Sequence, residues 1–133
     1  MNRRRFLKLF LSISSLSIFR SSYASIEQNT NIKASLLANK LLCGFKCHIS
    51  ARKIGYEYLI ITPNEANIEV LLNHLCKLGG EEKRTLYNSS DNVIKTILRE
   101  KSCRDFRNEQ VVNIRGWILS KTEARLCALA MLV

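Results

Sequence analysis

Cys43-Gly44-Phe45-Lys46-Cys47-His48 gathers two thiols and an imidazole within six residues. Three chemistries draw on such a set: covalent haem attachment, a redox dithiol and metal ligation. The usual haem-attachment pattern has two residues between the cysteines before the histidine; this stretch has three. A haem here would also need a second axial ligand. Met131 and His74 are the candidates, and no spacing ties either to the motif. Cysteines four apart on an uninterrupted helix do not form a relaxed disulfide. For a metal, the further donors are His74 and Cys76. At i and i+2 their side chains diverge on a helix, and no second tight pair completes a structural zinc pattern. The expectation is therefore no metal and no cofactor.

The chain has five cysteines, an odd number that leaves at least one thiol free. Cys127 lies in an apolar run and reads as a core residue that behaves as a small hydrophobe. A pairing of Cys43 or Cys47 with Cys76 or Cys103 stays open in an oxidising compartment. Hydrolytic chemistry has less support. There are two histidines, and Cys47 and His48, being adjacent, point apart. No Gly-x-Ser-x-Gly turn occurs. Gly79-Gly80 lacks the Lys-Ser/Thr of a phosphate-binding loop. Glu81-Glu82 reads as a solvated loop rather than an acid/base couple. No catalytic residue is assigned.

The elements that carry these residues read as helices. Lys33 to Lys46 places Leu37, Leu41 and Phe45 at four-residue spacing, with Ala34, Ala38 and Leu42 alongside. Ser50 to Ile61 places Ala51, Ile54, Tyr58 and Ile61 on one face, with Gly55 a mild weakness. Thr62-Pro63-Asn64-Glu65 has the form of a capping box with proline at the first helical position. It predicts a helix through Ile68, Leu71, Leu72, Leu75 and Leu78, ended by Gly79-Gly80. Glu81 to Ser89 reads as a polar connection. A fourth helix spans about Ser90 to Phe106 with Val93, Ile94, Ile97 and Leu98 inward. Val111 to Trp117 alternates like a strand but shows no partner, so an extended segment near 111–118 is expected. Ser120-Lys121-Thr122-Glu123 is a second capping box. After Arg125 every residue to Val133 is apolar, which predicts a core helix or a docked one. The fold class is mainly all-α: a bundle of about five helices with one short extended segment.

The first 24 residues differ in kind. Three arginines precede about eleven mildly apolar residues, Leu9 to Phe19, and no acid occurs before Glu27. That is the layout of an export signal, and it is too short for the roughly twenty residues of a bilayer-spanning helix. Ser22-Tyr23-Ala24 fits a small-x-small cleavage site. The division expected is a signal peptide over 1–24 and a single small helical domain over 25–133. Of the net charge of +10, five come from Arg3, Arg4, Arg5, Lys8 and Arg20, leaving +5 on residues 25–133. That moderate charge is scattered, without the aromatic-interleaved basic stripe of a nucleic-acid binder. No nucleic-acid partner and no permanent membrane span are expected.

Arg3-Arg4-Arg5-Phe6-Leu7-Lys8 resembles the twin-arginine export motif, with Asn2 in place of its Ser or Thr. The resemblance assigns Arg3, Arg4, Phe6, Leu7, Lys8 and Ala24 to the signal. It implies export of an already folded protein through the inner membrane to the periplasm. The partners it implies are the twin-arginine machinery and signal peptidase. Gly116-Trp117-Ile118-Leu119-Ser120-Lys121-Thr122-Glu123-Ala124-Arg125-Leu126-Cys127-Ala128-Leu129 is similar to the closing segment of small bacterial proteins that carry such signals. That pattern has an acid before Gly-Trp, where this chain has Arg115. The resemblance carries no activity. A looser analogy in size and signal is to small subunits that escort flavin-containing dehydrogenases across the membrane.

Together these features point to an exported, non-catalytic accessory protein, a small subunit or escort of a larger periplasmic oxidoreductase. Trp117, Leu119, Met131 and Leu132 are the expected docking residues, since aromatic and aliphatic anchors dominate interfaces. The alternative is a free-standing periplasmic domain that binds a ligand or redox group through Cys43, Cys47, Cys76 or Cys103.

Overall fold

A computed structural model of the chain describes residues 32–77 and 83–133. The described part is mainly helical, with six α-helices and one two-stranded sheet. The helices are α1 (32–41), α2 (His48–Ile61), α3 (Ile68–Cys76), α4 (Lys83–Asn88), α5 (Asp91–Arg107) and α6 (Lys121–Leu132). Strands β1 (Val111–Ile114) and β2 (Trp117–Ser120) lie between α5 and α6. Residues 1–31 and 78–82 lie outside the described set, and with them the signal residues Arg3, Arg4, Phe6, Leu7, Lys8 and Ala24 and the Gly79-Gly80 stop.

The last helix is the centre of the unit Ala34–Val133. Every residue from Leu126 to Ala130 is buried. Helix α2 packs along it most extensively, and α3 and α5 flank it. Gly55 is what lets α2 come so close. A Cβ there would overlap the Cys127 carbonyl and lie 2.8 Å from the Ala128 amide nitrogen. The glycine that looked like a weakness is a packing requirement. Leu37 and Leu41 of α1, Leu71, Leu72 and Leu75 of α3, and Ile94 and Leu98 of α5 close the core around it.

Ser120 caps α6 as its sequence indicates. Its hydroxyl accepts from the Glu123 amide at 3.1 Å, and Glu123 Oε2 accepts from the Ser120 amide at 2.9 Å. Asp105 of α5 adds a second clamp, accepting from both the amide and the hydroxyl of Thr122 at 2.8 and 2.7 Å.

The other capping box does not form. Thr62 Oγ1 donates back to the Tyr58 carbonyl at 2.8 Å, so it is turned toward the end of α2. Pro63–Glu65 becomes a single 3-10 turn. Helix α3 starts instead behind Asn67, whose Oδ1 accepts from the Glu69 and Val70 amides.

Three further boundaries depart from expectation. Helix α1 stops at 41 and gives way to a 3-10 turn, Leu42–Gly44, so the cysteines of the Cys43–Cys47 stretch do not share one helix. The connection over 81–89 contains α4, held by the buried Leu86. The 111–118 stretch is not one extended segment: it folds back at residues 115 and 116, and its first four residues find their partner in the four that follow the turn. Val111 to Ile114 pair antiparallel with Ser120 to Trp117. Arg115 (φ 51°) and Gly116 (φ 88°) form the two-residue turn, with the positive φ at both positions that marks type I′. Two residues expected inward, Ile61 and Val93, are exposed.

Candidate functional site

The hairpin tip overhangs α2 and leaves an open groove of about 470 Å³. Its apolar lining comes from Ile54 on α2, Ile114 on β1, Trp117 on β2 and Met131 near the end of α6. Its polar lining is Arg52, Lys53, Tyr56 and Glu57 of α2 with Arg115 of the turn. Helical spacing explains the α2 contribution. Ala51, Gly55 and Tyr58 face α6, so Arg52, Lys53 and Tyr56 stand on the outer side.

Trp117 is the most exposed large apolar side chain described, at 73 %, and Ile118 follows at 63 % among its hairpin neighbours. As consecutive strand residues they point to opposite faces of the hairpin, so Trp117 alone stands over the groove, where an exposed tryptophan has the form of an interface anchor. Arg115 reaches back over the groove to Glu57, Nη2 to Oε1 2.7 Å. Arg52 and Lys53 have no acidic partner among the described residues. The groove thus pairs an apolar floor with a rim of three cations and one already paired carboxylate.

Of the four expected docking residues, Trp117 and Met131 line this groove. Leu119 and Leu132 are half-buried and pack against the core instead. Alternation in β2 explains Leu119: it faces the core while Ile118 beside it faces out. Arg52, Lys53 and Tyr56 are groove residues that the sequence reading missed. The signal available was the α2 face opposite Ala51 and Tyr58.

The cysteines are dispersed. All five are free thiols; Cys43, Cys47 and Cys103 are exposed and Cys76 and Cys127 buried. Cys43 lines a second, shallow cleft of about 390 Å³ together with His48, Asn39 and Arg52. Cys47 precedes α2, and its Sγ lies 3.3 Å from Ser50 Oγ. That hydroxyl holds the Cys47 thiol below its ordinary value. Burial pushes Cys76 up, and pushes Cys127 up to about 11. His74 and Cys76 are near neighbours on α3, but among the described residues no three His, Cys, Asp or Glu groups gather as a metal ion needs. No described helix is long and apolar enough to cross a membrane.

A buried polar cluster lies elsewhere, under α3. Arg125 of α6 donates to Glu65 through Nε (2.9 Å) and Nη2 (2.7 Å), and the Tyr58 hydroxyl donates to the same carboxylate at 2.7 Å. His74 Nε2 stands 3.7 Å from Glu65 Oε1. The Arg125 hydrogen bonds hold the Glu65 carboxyl below its usual range. Burial, with Arg125 next, lowers His74. Nearby, the buried Lys101 ammonium donates to the His74 and Leu75 carbonyls and closes the end of α3. No buried side-chain polar atom among the described residues is left without a partner, so Tyr58, Glu65 and Arg125 have the form of a structural clamp that ties α2 and the turn after it to α6.

Comparison with protein-family models, with curated proteins and with solved structures finds no match to this chain.

Proposed function

We propose that this chain is an exported, non-catalytic accessory protein that docks a larger oxidoreductase subunit through its hairpin face. The observation that carries this reading is Trp117, exposed at the hairpin tip above the apolar groove. A tryptophan left in water on a small unit has no packing role to explain it, and interface hot spots are enriched in that residue. The Arg3-Arg4-Arg5-Phe6-Leu7-Lys8 motif supplies the address, and folded export to the periplasm gives a bound partner a route across the membrane. The buried polar groups support the non-catalytic part: Tyr58, Glu65 and Arg125 are engaged with one another rather than open to a substrate.

The test is affinity capture of the tagged full-length chain from its native cells, beside its Trp117→Ala variant. A single large partner in stoichiometric amount, with flavin absorbance, lost from the variant, supports the reading. A lone and colourless wild-type protein overturns it.

A second reading has one observation of its own. Cys43 and His48 share a cleft, and the Cys47 thiol nearby is held low by Ser50. A free-standing domain that binds a ligand or redox group there would show colour or a rapidly reacting thiol pair in the isolated protein.

A further inference from the structure

The groove beneath Trp117 has a charge pattern that selects among partners. Its rim carries Arg52, Lys53 and Arg115, and its one acid, Glu57, is already held by Arg115. Its floor is Ile54, Ile114 and Met131. Arg115 adds a second indication. It sits at a left-handed φ of 51°, where Asn or Asp fits a type I′ turn better. Its one ion pair is exposed, with 76 % of its side chain in water, and contributes little to folding. A long cation at a strained turn position, aimed over a groove, is placed for a ligand rather than for the turn.

Three occupants compete for this surface. The chain's own leader carries Arg3, Arg4, Arg5 and Lys8, which would meet the cationic rim with like charge. A second copy would bring the same three cations against themselves. A partner with acidic side chains meets no such repulsion. We propose that the groove binds an acidic protein segment with one large apolar side chain. Its carboxylates would pair with Arg52, Lys53 and Arg115, and its apolar side chain would lie on Trp117 and Met131. This inference rests on the docking reading and names the chemistry of the segment that docks. A nucleic-acid strand suits the site less well, because three cations over an aliphatic floor are a poor track for a phosphate backbone.

The chain's single tryptophan is Trp117, so its fluorescence reports this groove alone. The experiment pans a displayed library of random dodecapeptides on the full-length protein, then titrates the selected peptide against Trp117 emission. The expected consensus is rich in Asp and Glu around one Phe, Leu or Trp. The selected peptide should shift the emission to the blue. Arg52→Glu with Lys53→Glu should weaken it by about tenfold or more, the size of one to two charge contacts. Exchange of its carboxylates for amides should weaken it to a similar degree.

A neutral or basic consensus, or no selected peptide at all, overturns the inference. So does indifference to the charge reversal, or tighter binding of a dodecathymidine oligonucleotide. The double variant is also run through the affinity capture. A partner lost with Trp117→Ala but kept with Arg52→Glu and Lys53→Glu would leave docking intact and sink the acidic segment alone.

Discussion

Arg125 and Glu65 are sixty positions apart in sequence and meet in a two-pronged ion pair, Nε to Oε2 at 2.9 Å and Nη2 to Oε1 at 2.7 Å. Glu65 is buried and Arg125 largely so. The pair ties the 3-10 turn after α2 to the central helix α6. Removal of one partner leaves the other charge without compensation in the interior. Arg125→Ala should therefore cost about 3–5 kcal/mol in chemical denaturation. Arg125→Met combined with Glu65→Leu should cost much less than the sum of the two single changes. A sum that is simply additive would mean the pair does not act as a unit.

The same cluster sets how the fold responds to acid. Both Glu65 and His74 are held below their ordinary values, 4.5 and 6.5. In the unfolded chain each group therefore binds its proton at a higher pH than in the folded one. Wherever the unfolded state binds more protons, stability rises with pH. The His74 contribution is complete above about pH 6.5 and is lost as pH falls through its lower folded value. The Glu65 contribution begins to go only below about pH 4.5. Melting temperature against pH should fall in two steps on acidification. His74→Gln should remove the upper step and leave the lower one. A single step unchanged by that variant would contradict the assignment.

Gly55 gives a prediction about packing alone. The Cβ of Gly55→Ala would lie 2.5 Å from the Cys127 carbonyl carbon and 2.8 Å from the Ala128 nitrogen, all backbone. Neither helix can yield by rotating a side chain, so α2 and α6 must move apart. The cost should be about 3 kcal/mol or more, at the upper end for overpacking. On an exposed helix face the same change would stabilise by about 1 kcal/mol, because alanine is the better helix former. A stabilised variant in thermal denaturation would show that the close approach is not as described.

Local chemistry was legible where it acted alone, and it misled where a distant partner competed for the same group. The Ser120–Glu123 box reads correctly because no distant group draws either side chain from the helix start; the Ser102 hydroxyl, 2.8 Å from Ser120 Oγ, adds to the cap without displacing it. Thr62-Pro63-Asn64-Glu65 has the same form, yet Glu65 is drawn inward by Tyr58 and Arg125, and no local rule foresees a residue sixty positions on. The hairpin was hidden for another reason. Its turn is Arg115-Gly116 rather than Asn-Gly, so residues 111–118 read as one extended segment without a partner, and β2 runs into the α6 cap without a loop. Helix α4 is six residues with one buried anchor, too short for a period to show. Trp117 and Met131 are expected at an interface together with Leu119 and Leu132 because aromatic and aliphatic anchors dominate interfaces; that rule does not tell a groove-lining residue from one packed on the core. The cations beside Trp117 and Met131 do not stand out, because charge on a helix face is ordinary until a neighbouring element turns that face into a groove.

Arg115 allows the demands of fold and binding to be separated. Its φ of 51° costs an arginine roughly 1 kcal/mol that an asparagine at the same turn position would mostly avoid. Arg115→Asn also removes the exposed pair with Glu57, worth about 0–1 kcal/mol at such a site. The net effect on folding should be neutral to slightly stabilising, with no loss of melting temperature. The effect on binding should go the other way. The selected acidic peptide should bind severalfold more weakly, chiefly through slower association at low salt, since the variant keeps Trp117 and loses one exposed cation of the rim. Stability held or raised while affinity falls would identify Arg115 as a residue kept for its partner at the turn's expense. A variant that binds as well as the wild type but melts lower would assign Arg115 to the fold, through Glu57, and take it out of the proposed rim.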